Sequence, residues 1–444
     1  MRPETAPGPA PPLPGAIRLA FGLGLAVTLA CAAFLVWRTA ILEPYADMYD
    51  WIVRYERLRS DGDLWGYLWA PHNFHHLVWT MTIQALDLRV FGASSLLFLA
   101  VGVLSLAGTA GLLAWAAGKA AGPGLRLLGA GVAAALSTMG CHVLDASAPI
   151  NTTYLHALVF AVAAILLAEG PGGGRPGRRV ASLACAIASA LGNAAGLAVW
   201  PALIFGAWRR GQRVWSLGLL VGAMVFAALY AAGQPLPVSP AGSAAIVTRL
   251  GEALSYFVND LGLPWGRGVS QGWILGLAML VAAGAAIVRQ GRRDAPWTER
   301  AATALIVFSL ASAALAAIAR SGAYDPRLVP LRYSVFMIPL HVGLSIHLLP
   351  HLRRALTRRS RLAWATVAAA AVLMVANQTD MALYAMGSAD QHLRAIVDFK
   401  AGRRTAQMST TIYPDLAKAA AVNQRLRQRG LYQRELRAAP PPQS

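Results

Sequence analysis

Charge is scarce in this chain. Only 13% of its 444 residues are Asp, Glu, Lys or Arg, against 56% hydrophobic, whereas a soluble domain carries about 25% charge. A string of soluble domains is excluded, so length does not convert into a domain count. Cysteine is scarce too. Cys31, Cys141 and Cys185 lie far apart within apolar runs, which excludes a disulfide framework and a cysteine zinc site by spacing. They read as small buried apolar residues. No H-E-x-x-H occurs. Acid is the rarer sign, 20 residues against 39 Lys and Arg, for a formal charge of +19. That excess does not point to nucleic acid: the basic residues sit in short clusters between apolar runs, as cytoplasmic loops do, where they also meet anionic headgroups.

What the chain has in quantity is apolar sequence in runs of the roughly 20 residues that cross a bilayer. They fall at 19–37, 95–117, 124–143, 152–168, 214–232, 271–289, 301–319, 332–349 and 362–384. The Pro-rich residues 1–18 read as a disordered cytoplasmic N-terminus. Leu19–Val36 is longer than the about 7–15 residues of a signal-peptide core, so it reads as an uncleaved first span.

Residues 180–207, VASLACAIASALGNAAGLAVWPALIFGAW with its flanks, are too long for one crossing and short for two. Arg175, Arg178 and Arg179 precede them; Arg209, Arg210 and Arg213 follow. Keeping both clusters on one side requires a hairpin, and Gly192, Asn193 and Gly196 supply its turn. The basic loops 119–126, 175–179, 209–213, 289–300 and 353–361 then share the cytoplasmic side. The segment after the first span, the loops 144–151, 233–270 and 320–331, and the basic tail share the other.

The reading is an all-α polytopic membrane protein of about eleven membrane helices. A membrane domain at 19–384 contains a large first periplasmic loop (38–93) and the cytoplasm-facing hairpin (180–207), followed by a periplasmic tail (385–444). The setting is a bacterial inner membrane, N-terminus cytoplasmic and C-terminus periplasmic, the lipid bilayer being the first partner. Tyr45, Tyr49, Ile52, Val53 and Leu58 mark one juxtamembrane helix in the first loop, and Leu77–Val90 another. Loosely helical spacing in the tail, from Leu393 through Leu416 and Leu426 to Leu431, predicts a small appendage.

The polar residues concentrate in that first loop. Glu43, Asp47, Asp50, Glu56, Asp61 and Asp63 follow the first span, and His72, Asn73, His75 and His76 come next. Asp47 and Asp50 are three apart, hence neighbours on one helix face. Carboxylates there can act as a general base or hold a divalent cation; the bland alternative is a solvated face. The histidines suit hydrogen bonding to a phosphate or sugar better than zinc, which lacks a motif. Arg320, Arg327 and Arg332 flank the 320–331 loop, where Arg suits phosphate or simply snorkels.

The order of these features resembles the GT-C superfamily of polyprenyl-phosphate-dependent glycosyltransferases. It is similar to bacterial GT-C-like membrane proteins whose first loop carries an acidic motif, then H-N-E-H-R, then L-D…F-G. Here stand Asp47, then HNFHH, then Leu86, Asp87, Phe91 and Gly92. LGNAAGLAVWP matches their hairpin, ARSGAYDPRLVPLRYSVF their G-R-S-G…S-R-Y-x-x-F loop, and TTIYPDLAKAAAVNQRLRQRGLYQ their tail. Phe74 replaces the motif Glu and His76 the motif Arg, departures that put specificity or activity in question.

The resemblance implies a GT-C-like bundle and an inverting transfer. A sugar leaves a polyprenyl-phosphate donor for a periplasmic glycan, lipid or protein acceptor. Asp47 is the implied base or cation ligand, with Asp50 as runner-up. Arg320 and Arg332 meet the lipid phosphate, and His72, Asn73, His75, His76 and Tyr333 are the other implied substrate-binding residues. A transporter or flippase, and a non-catalytic scaffold of an envelope polysaccharide pathway, are the competing readings.

Overall fold

The computed structural model describes residues 15–73, 75–232, 243–265, 272–289, 295–320, 325, 327–357, 361–405 and 408–431. Every named element among them is helical: α1 (Gly15–Thr39), α2 (Met48–Asp61), α3 (Leu64–Trp69), α4 (Val78–Val90), α5 (Leu96–Ala121), α6 (Arg126–Ser137), α7 (Gly140–Ser147), α8 (Thr152–Glu169), α9 (Pro176–Ala190), α10 (Val199–Arg209), α11 (Arg213–Ala231), α12 (Ser243–Leu261), α13 (Gly272–Arg289), α14 (Trp297–Arg320), α15 (Ile338–Thr357), α16 (Arg361–Lys400), α17 (Met408–Thr411) and α18 (Leu416–Gln428).

Seven described helices are long and apolar enough to cross a membrane, or eight with a bent pair taken as one span. The chain is therefore a multi-pass helical membrane protein. The expected eleven also counted α9 and α10, of 15 and 11 residues, each too short to cross alone, and α16. Expected phosphate-loop residues Ser321 and Gly322, and Phe74, lie outside the described residues.

The hairpin is present. α9 starts on Pro176, which suits a first helical turn because that N–H has no intrahelical partner. It runs antiparallel to α8, tied by Ser182 Oγ to Ala164 O (2.8 Å) and Ser189 Oγ to Ala157 O (2.6 Å). At the tip the Asn193 side chain accepts from the Ala195 N–H, and Gly196 presses on Ser189 so closely that any side chain would collide. At its base, buried Glu169 is bonded to Arg210 and to Arg300. The ends of α8 and α10 and the start of α14 thus meet at one end of the bundle, which we call the basic end.

Four stretches depart from the sequence reading. The run 124–143 is broken: α6 and α7 meet at a 56° bend. The break frees backbone donors, and Gln378 of α16 accepts the Gly140 N–H at 2.9 Å. The expected loop at 144–151 is instead the end of α7 and a 3-10 turn, Pro149–Asn151. The expected loop at 233–270 contains α12, which lies against α13 through close Gly262–Gly272 and Gly276–Val258 approaches.

The tail is the largest departure. α16 does not stop near 384 but continues to Lys400. Beyond it α17 and α18 fold back onto the first loop, forming a second core separate from that of the bundle. Trp51, Tyr49 and Ile52 of α2, Met81 of α4, and Ile412, Val422 and Leu426 of the tail are all buried in it. The first loop and tail make one outer layer at the end opposite the basic one.

Candidate functional site

That outer layer begins where α1 ends. The Ala46 backbone is left-handed, φ 49°, a conformation uncommon for alanine and characteristic of strained positions. Its N–H is bonded to Ile412 O of the tail. The chain then turns into α2 with Asp47 at the N-cap position, but the carboxylate caps nothing. It reaches instead to the 72–75 turn. His72 Nε2 donates to Asp47 Oδ2 at 3.0 Å, and Asn73 Nδ2 donates to the same oxygen at 3.1 Å. The turn is closed by reciprocal backbone bonds between His72 and His75, both 2.8 Å, and Asn73 is left-handed, φ 46°, a conformation asparagine tolerates better than most residues. Oδ1 of Asp47 makes no hydrogen bond among the described residues.

The other side of the site comes from the far half of the chain. Arg320 at the end of α14 and Arg332 in the 3-10 turn Leu331–Met337 both lie over the Tyr333 ring, 5.8 and 5.5 Å from its centroid. Arg332 is near enough for its charge to act on Asp47, and Arg320 for its charge to act on His75. Burial raises the Asp47 carboxyl, but the bond and charge of His72, the Arg332 charge and the Asn73 bond outweigh it and hold the group below the ordinary carboxylate value. Burial first and the Arg320 charge second push His75 down to about 4. Neutral His75 accepts the Ala194 N–H on Nδ1 at 3.3 Å, leaving Nε2 as the N–H donor. Asp47, His72, Asn73, His75, Arg320, Arg332 and Tyr333 thus gather from three separate stretches.

Two expected members stand elsewhere. Asp50 faces the tail: Lys418 Nζ lies 2.5 Å and the Tyr413 hydroxyl 2.7 Å from its Oδ1. His76 is fully buried, stacked on Trp69 at 4.4 Å between ring centroids, with its ring nitrogens on the carbonyls of Trp69 and Tyr230. It fastens the start of α4 to α11. Arg327 pairs with Asp325 on the surface. No group of three or more His, Cys, Asp or Glu able to hold a metal occurs among the described residues. The donors do not fit the divalent cation expected at Asp47 and Asp50, because one carboxylate is bound by a lysine and the other by His72 and Asn73.

Other first-loop acids are also taken by the tail. Glu43 pairs with Lys400 at 2.9 Å, and Glu56 with Arg425 at 3.0 Å and Arg429 at 3.4 Å. Asp87 of the L-D…F-G stretch is structural: its carboxylate accepts the Ser95 and Leu97 N–H groups and caps the start of α5. Two contributors were missed in the sequence. The hairpin tip meets His75 through Ala194, and Trp79 donates to Ala188 O at 3.0 Å. Asp145, buried in α7, accepts from Asn151 at 2.8 Å and feels the Arg332 charge. A carboxylate in an apolar run is itself a signal.

Compared with known proteins, the chain matches no family model, no curated protein and no solved structure.

Proposed function

We propose that this protein is an inverting, GT-C-like glycosyltransferase that moves a sugar from a polyprenyl-phosphate donor to an acceptor hydroxyl at the site end of the bundle. That end is the periplasmic face of a bacterial inner membrane, with the N-terminus cytoplasmic. One observation carries the reading. Asp47 is bound by no tail cation, unlike Glu43, Asp50 and Glu56; one oxygen is fixed by His72 and Asn73, the other is open, and Arg332 is in range.

The chemistry follows from those positions. The acceptor O–H approaches Asp47 Oδ1, which takes its proton as the new C–O bond forms. The anomeric carbon is inverted as its bond to the phosphate oxygen breaks, and the electron pair leaves on the lipid phosphate. Arg320 and Arg332 stabilise that developing charge. His75 offers a neutral N–H donor to the sugar or phosphate. A depressed carboxylate is fully ionised at neutral pH, so Asp47 is in the form that can accept a proton.

Asp47→Asn tests this. The amide oxygen still accepts from His72 and Asn73, so the turn stays in place while the base is lost. In proteoliposomes supplied with radiolabelled polyprenyl-phosphate sugars, the rate should drop about 10²–10⁴-fold. Transfer by wild type that survives Asp47→Asn, or absence of transfer from every such donor, overturns the proposal.

A further inference from the structure

The outer layer holds a cavity that shares no residue with the Asp47 group. It lies between α2, α4 and the end of the tail and measures about 440 Å³, within the about 300–1,000 Å³ of small-molecule sites. Positions 52, 55, 56 and 59 of α2 fall on one helix face and make one wall. Leu88 and Arg89 of α4 make a second, and Leu426, Arg429 and Leu431 a third.

Positive charge is in excess on these walls. Arg59, Arg89 and Arg429 share the cavity with one carboxylate, Glu56. Arg425, which does not line it, already holds both Glu56 oxygens, through Nε at 3.3 and 3.1 Å and Nη2 at 3.0 Å. Arg429 meets Glu56 only at 3.4 Å. Arg89 spends its Nε on the Tyr55 hydroxyl at 2.9 Å, and the Arg59 side chain makes no hydrogen bond or ion pair among the described residues. All three arginines are exposed, so their remaining N–H donors are open to a ligand.

The lining selects that ligand. Guanidinium forks match phosphate oxygens, and three of them suit a group with more oxygens than the two of a carboxylate. Ile52, Leu88, Leu426 and Leu431 supply the apolar remainder, which suits the ester carbons beside a phosphate better than a free ion. The place also fits a headgroup. Arg89 stands shortly before α5, a membrane-crossing helix, begins at Leu96, and Leu86, Val90 and Phe91 around it are exposed apolar side chains.

We propose that this cavity binds the phosphate group of a lipid headgroup and so ties α2 and α4 of the first loop to the end of α18. None of the transfer chemistry above is needed for it.

The test titrates the purified full chain, in neutral detergent at low salt, with dihexanoyl phosphatidylglycerol, with dihexanoyl glycerol, which lacks the phosphate, and with inorganic phosphate. Calorimetry reads binding. The melting temperature and protease cleavage beyond residue 400 read the tie to the tail, since a ligand of the folded state alone stabilises it by mass action. Phosphatidylglycerol should bind saturably, raise the melting temperature and slow cleavage; the neutral glyceride should do none of these. Arg59→Gln, which breaks no contact within the protein, should weaken binding about threefold, as one exposed ion pair allows, and Arg59→Gln with Arg89→Gln at least about tenfold. Arginine-dependent binding of inorganic phosphate without binding of the lipid would keep the phosphate site and move its source from the membrane to solution. Absence of saturable binding by both phosphates, equal binding of the neutral glyceride, or binding that the double variant leaves unchanged overturns the assignment.

Discussion

Replacing Lys400 by Met isolates what the tail does for the first loop. The methionine keeps most of the apolar stem and removes the ammonium that lies 2.9 Å from Glu43. The two side chains are 14% and 7% exposed, so this is close to a buried pair. At an effective dielectric of about 20, unit charges at that distance attract by about 6 kcal/mol. Desolvation offsets part of it. The penalty is also capped: a carboxylate that loses its partner can take up a proton, which costs about 3.7 kcal/mol at pH 7 for an ordinary glutamate. Lys400→Met should therefore destabilise the outer layer by about 2–4 kcal/mol. Glu43→Gln with Lys400→Met should recover at least half of that, since no charge is then stranded. Thermal melts in detergent and protease cleavage beyond residue 400 read the effect. High salt should not mimic it, although it should loosen the more exposed Asp50–Lys418 pair, whose side chains are 35% and 38% exposed. A Lys400→Met protein that melts and resists protease like wild type would refute the reasoning, as would a double variant no better than the single one.

Two further outcomes are expected. With Asp47 held below the ordinary carboxylate value and His75 near 4, neither group should add a step to the transfer profile between about pH 5 and 8. Protonation of Asp47 should switch transfer off as pH drops through its depressed value, where the small stability from its ion contacts is lost as well; transfer that persists undiminished below the ordinary carboxylate range argues against Asp47 as the base, unless its value lies lower still, which Asp47→Asn resolves. At the basic end, Glu169→Gln strands Arg210 and Arg300 around a position 1% exposed, so it should cost about 3–5 kcal/mol and lower the melting temperature in detergent far more than the surface change Asp325→Asn.

The spans were legible because they are set by composition alone. The runs at 95–117, 152–168, 214–232 and 271–289 lie within a few residues of α5, α8, α11 and α13. The hairpin was legible because six arginines cannot be divided between two sides without violating the charge bias. What escaped depends on partners distant in sequence. The bend after Ser137 is made tolerable by Gln378, about 240 residues on, so nothing near 138–140 announces it. α12, SAAIVTRLGEALSYFVNDL, carries Arg249, Glu252 and Asp260 within a helical apolar pattern, and those charges hid it among loops. In the site, Asp47, His72 and the two arginines were legible as residue types. Their meeting was not, since it is built from a left-handed Ala46, a two-way bonded 72–75 turn and the Tyr333 ring.

The basic tail conflicted with a translocated C-terminus as long as its charges were counted as free. Four of them are paired with first-loop acids, which lessens the conflict. Lys400, Lys418, Arg425 and Arg429 lie on Glu43, Asp50 and Glu56, and Arg38 at the end of α1 lies on Asp390. Glu43, Asp50 and Glu56 with Lys400, Lys418, Arg425 and Arg429 therefore form one complementary set, close to neutral where they meet. This also separates Asp47 from its neighbours. It precedes Asp50 by nearly one helical turn, so on α2 both would face the tail. The strained Ala46, held by Ile412 O, places Asp47 at the helix cap instead and swings its carboxylate to His72. The tail that pairs with Glu43, Asp50 and Glu56 thus also fixes, through Ile412 O, the residue that precedes Asp47.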